Sequence, residues 1–269
     1  KTYHLQIIEK FNSNKIIIGF SNLDFRYGSA SPWHLMMSTF YFDFKSIKLF
    51  YYINIILLSI LVFECFKKKN NYKIEKLFLL FSIFFLILYS TVHPSGNGMI
   101  LTLMGSPDLD FPGMILFITA IYFFFLSFRE KKIKDYLLIV STLCFFTKLS
   151  YIASILLILR FIILEKNFYK NKLFLFNILI ISLWVIRNIF ISGCAIYPVI
   201  FSCLNILPWS NIEGVELWNN ILTSYARDIG PRENFMNFEY TLNSTEWFIP
   251  WFKFYFLQNS LIQSFLILF

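Results

Sequence analysis

Residues 46–66, SIKLFYYINIILLSILVFECF, followed at once by Lys67, Lys68 and Lys69 and then by Lys73 and Lys76, decide how the rest of the chain is read. The run is long enough to cross a hydrocarbon core, which takes about 20 helical residues. A lysine cluster at the end of such a run marks the cytoplasmic side. Residues 1–45, at its other end, are then expected outside.

Composition points the same way. With 57% hydrophobic residues, only 15% charged residues and a mean hydropathy of +0.62, the chain has too little polar surface for a soluble globule, so lipid is the expected solvent. Thirty-five Phe against nine Gly suit bulky side chains that face acyl tails. The net charge of +8 sits in short lysine clusters between apolar runs, as in cytoplasmic loops, and no nucleic-acid partner is expected. Cys65 and Cys144 fall in apolar runs and read as small buried hydrophobes. Cys194 and Cys203 fall near a membrane exit and form no CxxC, so they are either buried hydrophobes or a disulfide. The chain opens on Lys1 rather than Met and closes in a short apolar run, 261–269, so both ends read as cut.

Working outward, residues 77–92 return across the membrane, residues 93–110 carry Pro, Gly and Asp as an outer loop, and residues 111–128 cross back. Arg129, Lys131, Lys132 and Lys134 mark the inside again. Residues 136–164 are apolar but interrupted by Thr147-Lys148-Leu149-Ser150. They must start and end inside, because Lys166, Lys170 and Lys172 follow. A hairpin of two short helices with Lys148 near the outer face meets that parity. Residues 173–191 then lead outward.

The expected fold is therefore all-α, a polytopic transmembrane helix bundle with interfacial helices. A non-cytoplasmic loop with interfacial helices covers 1–45, the bundle covers 46–192 with an outer loop at 93–110, and a second non-cytoplasmic loop covers 193–246. An interfacial aromatic segment and the start of a further transmembrane helix cover 247–269. No internal repeat, Walker motif or GxGxxG occurs, which disfavours an ATP-driven pump.

The three outer stretches hold the polar chemistry. Leu5, Ile8 and Phe11 form an apolar stripe that predicts a surface helix over 4–11. His4 and His34 are either interfacial anchors or substrate contacts. Asp108 and Asp110 stand at the edge of the hydrocarbon, where carboxylates face protein, water or a cation. At i and i+2 they suit a divalent metal or a general base, or they cap the helix that begins at Phe111, the reading that fits Asp110. Lys148 and Arg187 lie inside or at the ends of spans, where a lone cation costs about 2.5–3.5 kcal/mol on insertion scales. They either snorkel to the outer interface or clamp a phosphate, Arg as a two-pronged donor and Lys as a point charge. Arg160 faces the cytoplasmic half and snorkels.

Taken together, Tyr3-His4-x-Gln6, Gly19-x-x-Asn22-Leu23 with Arg26, Ser31-x-Trp33, Ser106-Pro107-Asp108, Thr147-Lys148-Leu149-Ser150, and Arg187-Asn188 with Ser192-Gly193 and Tyr197-Pro198 resemble a largely uncharacterised family of bacterial multi-pass membrane proteins. That family is similar in layout to the GT-C glycosyltransferases, membrane enzymes that take a sugar from a polyprenyl-phosphate carrier and act on the non-cytoplasmic side. The resemblance implies a GT-C-like bundle in the bacterial inner membrane and a long first outer loop with surface helices and an acidic catalytic residue, which matches the placement of 1–45. The start of that loop is missing, so the acid is expected either before Lys1 or among Glu9, Asp24 and Asp43.

The implied mechanism is direct displacement at the anomeric carbon, with a carboxylate activating the acceptor hydroxyl and cations stabilising the departing lipid phosphate. Asp24 or Asp108 is placed as base or metal contact, and Arg26, Lys148 and Arg187 as phosphate contacts. His4, His34, Asn188 and Tyr197 complete the expected substrate site. Two other functions share the layout. A glycolipid or polysaccharide transporter or flippase needs a polar path through the bilayer, and the cytoplasmic halves of these spans are nearly all apolar. A polysaccharide polymerase shares the large outer loops and uses diphosphate-linked repeats instead.

Overall fold

The computed structural model describes residues 3–13, 16–41, 43–44, 47–48, 52–66, 73–91, 109–165, 167–227 and 238–253. They are predominantly helical: α1 (Tyr3–Ser13), α2 (Pro32–Thr39), α3 (Ile53–Phe66), α4 (Lys73–Thr91), α5 (Asp110–Leu126), α6 (Lys134–Thr147), α7 (Ser154–Leu164), α8 (Lys172–Ser192), α9 (Ile212–Arg227), and the short α10 (Phe238–Leu242) and α11 (Phe248–Phe252). Strands β1 (Asp43–Phe44) and β2 (Ile47–Lys48) form a small antiparallel ladder with Asp43 opposite Lys48. That ladder shortens the first expected span. Residues 43–44 pair antiparallel with 47–48, and the helix starts only at Ile53, giving 14 residues or about 21 Å. The expected outer loop 93–110 lies outside the described residues except for Leu109 and Asp110.

Among the described helices, α8 alone combines length and apolarity sufficient to cross a bilayer: 21 residues, mean hydropathy 2.1 and only 17% of its apolar window buried, a reach of about 31 Å. Helices α3, α5 and α7 are apolar but shorter. The two short helices expected over 136–164 are present as α6 and α7, with Lys148 at the break between them.

Contacts divide the chain into two compact units that do not follow the loop boundaries read from the sequence: Lys1–Lys15 with Ala30–Trp184, and Ile16–Ser29 with Val185–Phe269. In the first unit, α3, α4 and α5 close over Leu61, Leu79, Ile83, Phe111, Ile115, Tyr122 and Leu126. Helix α6 packs antiparallel to α5 and folds back into α7. Where α5 meets the 3₁₀ turn Leu149–Tyr151, the approach requires a glycine. A Cβ on Gly113 would sit 2.2 Å from the Tyr151 ring, and the Tyr151 hydroxyl donates to the Asp110 carbonyl at 3.0 Å. Buried polar side chains tie the helices together: the Asn177 amide donates to the Thr142 hydroxyl at 2.7 Å, and the Ser154 hydroxyl to the Ser141 carbonyl at 3.0 Å.

Ion pairs assign the two ends of this unit. Arg129 reaches Glu75 at 3.0 Å, Lys134 pairs with Glu165, and the Arg160 guanidinium lies 4.0 Å over the Phe128 ring. These contacts gather the start of α4, the end of α5, the start of α6 and the end of α7 at one basic end. At the opposite end Lys148 pairs with Asp110. Helices α1 and α2 cover that opposite end, with Leu5, Ile8, Trp33 and Met37 packed on Leu109, Leu116 and Cys144.

In the second unit, the 3₁₀ turns Phe20–Asn22 and Phe25–Ser29 pack with the chain that leaves α8. Gly19 adopts a left-handed φ of 66°, its N–H bonding the Phe190 carbonyl at 2.9 Å. Helix α9 packs through Val215 on Cys194 and Tyr197, and Gly214 admits the Phe25 ring. Cys194 and Cys203 form a disulfide, while Cys144 is a buried free thiol.

Gly113→Ala is expected to destabilise the protein by about 1–3 kcal/mol through overpacking against Tyr151, despite alanine's better helix propensity. Thermal unfolding in detergent measures it, and the loss should shrink in a Tyr151→Ala background, as a double-mutant cycle requires of a direct contact.

Candidate functional site

The sequence-predicted site residues fall into both units. His4, His34 and Lys148 belong to the first; Asp24, Arg26, Arg187, Asn188 and Tyr197 belong to the second. Asp108 lies outside the described residues.

In the first unit, Thr147 ends α6 and Lys148 turns to extended backbone, φ −154° and ψ 135°, which carries its ammonium back to the first residue of α5. The Asp110 carboxylate that receives it was expected to cap α5. It stands in the first turn of α5, as expected, and pairs with Lys148. Both side chains are about half exposed, and an ion pair of that exposure is worth about 0–1 kcal/mol. Breaking this pair therefore costs little.

Beside this pair, α1 and α2 bring together two buried imidazoles. Ser31 is the N-cap of α2, Pro32 follows at the first helical position, and His34 at N3 completes a capping box. The Ser31 N–H donates to His34 Nδ1 at 3.1 Å, so the neutral His34 ring carries its proton on Nε2. That proton is donated to His4 Nδ1, 2.8 Å away, which leaves His4 protonated on Nε2. The arrangement converts a backbone cap into a tautomer assignment two residues deep and makes His4 a fixed hydrogen-bond donor. Next to it the Trp33 indole N–H is buried and has no partner among the described residues.

In the second unit, Arg26 grips Asp24 with a fork: Nε lies 3.0 and 3.1 Å from the two carboxylate oxygens, Nη2 lies 2.5 Å from Oδ2, and the Arg26 backbone N–H adds a bond of 2.9 Å to Oδ1. Hydrogen bonding from the Arg26 side chain, against a smaller opposing effect of burial, holds the Asp24 carboxyl below its ordinary value. A carboxylate so held is a weak proton acceptor, and the fork suits it to positioning Arg26, whose guanidinium is 47% exposed. Tyr197 stands against Gly28, where a Cβ would meet the ring at 2.5 Å, and donates its hydroxyl to the Phe25 carbonyl at 2.8 Å. Burial, with the Asp24 charge added, pushes the Tyr197 phenol well above its ordinary value, so it remains a donor. Asn188 donates to the Ala195 carbonyl at 3.2 Å and shapes the exit from α8. Arg187 is half-buried, on the turn before that exit.

Among the described residues no group of three or more His, Cys, Asp or Glu gathers as metal ligands, and the residues present do not fit a divalent ion at Asp24, whose oxygens face a guanidinium. Sequence reasoning missed Tyr151 and Ser31 as partners of the candidate groups. The Ser-Pro-x-His spacing was the available signal for the second; nothing in the sequence pairs Tyr151 with Asp110.

A helical protein with one clear bilayer-length helix, two polar clusters and no metal cage among the described residues is the class this geometry defines. The chain belongs to the family described as Domain of unknown function (DUF8201), which matches residues 1–269. Neither the curated proteins nor the solved structures include a match to it.

Because the Asp24 carboxyl is depressed, its contribution to stability is complete at neutral pH and is lost as pH falls through its folded-state value. Asp24→Asn is expected to lower stability by up to about 1 kcal/mol at pH 7. The gap from the wild type, read from thermal melts across pH, should close below the ordinary carboxylate range.

Proposed function

We propose that the chain is part of a multi-pass inner-membrane glycosyltransferase of GT-C-like layout, moving a sugar from a polyprenyl-phosphate carrier to a cell-envelope glycan or lipid on the non-cytoplasmic face. The observation that carries the reading is the Lys148–Asp110 pair, an exchangeable cation at the end of the first unit away from its basic turns. Bulky apolar side chains left outward on several helices, among them Ile60, Phe63, Leu156, Ile163, Leu179 and Leu183, support lipid as their solvent. The Cys194–Cys203 disulfide supports an oxidising, outer compartment for the exit of α8.

In the proposed reaction the acceptor hydroxyl oxygen attacks the anomeric carbon, the bond from that carbon to the phosphate oxygen breaks, and the polyprenyl phosphate departs with the electron pair. The hydroxyl proton passes to a carboxylate, for which Asp108 is the better candidate, since Arg26 leaves Asp24 weakly basic. Lys148 neutralises charge that develops on the departing phosphate. His34 positions His4 through the bond between their rings.

Transfer of radiolabelled sugar from polyprenyl phosphate by the full-length protein in proteoliposomes tests this. Lys148→Ala is expected to lower turnover by about 10²-fold or more with the fold retained by circular dichroism, and Lys148→Arg to recover part of it. Absence of transfer from every polyprenyl-phosphate sugar tried would remove the class; full activity in Lys148→Ala would remove the site.

A further inference from the structure

The segment that leaves α8 carries no charged residue between Arg187 and Glu213, an unusual stretch for a loop. It is also rigid. Gly193, at φ 78°, ends the helix in the left-handed conformation that glycine accepts freely, and the Cys194–Cys203 disulfide closes the loop. The Ala195 N–H bonds the Ser202 carbonyl and the Leu204 N–H bonds the Gly193 carbonyl, both at 2.9 Å. The Ser202 hydroxyl accepts the Ile196 N–H at 3.0 Å and donates to the Val199 carbonyl at 2.7 Å. The inner side of this loop packs Cys194 and Tyr197 on Val215. Its outer side holds Phe201 at 92% exposure and Ile206 at 89%, with Ile200 and Leu204 also exposed.

So rigid a loop holds these side chains outward by its own hydrogen bonds. Where it sits follows from its anchorage. Leu204 is bonded to the residue that terminates α8, and Trp209 donates its indole N–H to the Ile189 carbonyl in the last turn of that helix at 2.9 Å. If α8 spans the bilayer, as its length and apolarity allow, Phe201 and Ile206 are held at the depth where that span leaves the hydrocarbon, the region where tryptophan and other amphipathic rings concentrate.

We propose that the disulfide-closed loop 194–203 with Leu204 and Ile206 is a wedge seated in the outer lipid interface, and that its occupant is phospholipid acyl chain. The inference rests on the membrane reading above and goes beyond the catalytic one. Its chemical basis is the exposure of Ile186 and Phe190 on the last turns of α8, the helix end to which the loop is bonded, together with the lack of any charge that a protein partner could pair with. The loop would fix the rotation and height of α8 and, through Trp209, Gly19 and Asn22, the turn that bears Asp24 and Arg26. The Asn22 amide donates to the Trp209 carbonyl at 2.9 Å, and the Gly19 bond to Phe190 joins the same helix end.

Photo-crosslinking in intact membranes tests it, with p-benzoylphenylalanine replacing Phe201, Ile206 or, as the reference inside the span, Ile186 in the full-length protein. The expected result is a mass gain of one phospholipid at all three positions. A phospholipid adduct at 186 with protein adducts or none at 201 and 206 overturns the wedge and leaves the membrane reading standing. No phospholipid adduct at 186 overturns the membrane reading, and the wedge with it.

Discussion

The charges of α3, α4, α5 and α6 lie near the ends of those helices, and this confinement is the constraint from which the rest follows. A helix whose middle is all Phe, Leu and Ile can be placed only by what its ends do. Glu75–Arg129, Lys134–Glu165 and Lys148–Asp110 do that placing, two pairs at the basic end and one at the other. Their energies are small where they are exposed, yet they decide direction and register, because the apolar flanks between them are nearly interchangeable.

Polar groups away from the ends act as couplings rather than as isolated features. Asn177 and Thr142, or Ser154 and the Ser141 carbonyl, join neighbouring helices through single bonds. The His4–His34 pair does the same for α1 and α2, and it is anchored on a helix cap. A cap residue thereby fixes the tautomer of a histidine on another helix. Local helix-end chemistry is turned into a defined donor at the covered end of the unit.

The second unit shows a different economy. Asp24 holds Arg26, Tyr197 holds the Phe25 carbonyl, and Trp209 holds both Ile189 and Asn22. Several residues that stood out in the sequence as polar and suggestive, Asn188 and Tyr197 among them, direct their side chains to backbone carbonyls. Polar density in a short loop is therefore partly a requirement of folding it, since each turn leaves backbone groups that need partners.

The apolar helices were legible in the sequence because apolar run length and lysine placement report them directly, whereas α9 falls in the polar stretch 193–246 read as a loop. The α6–α7 hairpin was read from parity and from the interruption at Lys148, and the helix α1 from its spacing, although its stripe, expected on the bilayer surface, packs through Leu5 and Ile8 on Leu109, Leu116 and Cys144. The start of α3 was not, because nothing in an apolar composition distinguishes the strand pair 43–44 and 47–48 from the first turns of a helix. Pairings over long separations were invisible for a stronger reason. Asp110 meets Lys148 and Tyr151, Tyr197 meets Phe25, and Trp209 meets Ile189 only after the helices have packed, and side chains of these types have several admissible partners. What the sequence determined by itself is where the chain is apolar and where it is charged, since hydrophobicity is a property of each residue. Which carboxylate faces a lysine, which faces an arginine and which histidine carries its proton on which nitrogen were decided only by tertiary structure, because those are properties of distance.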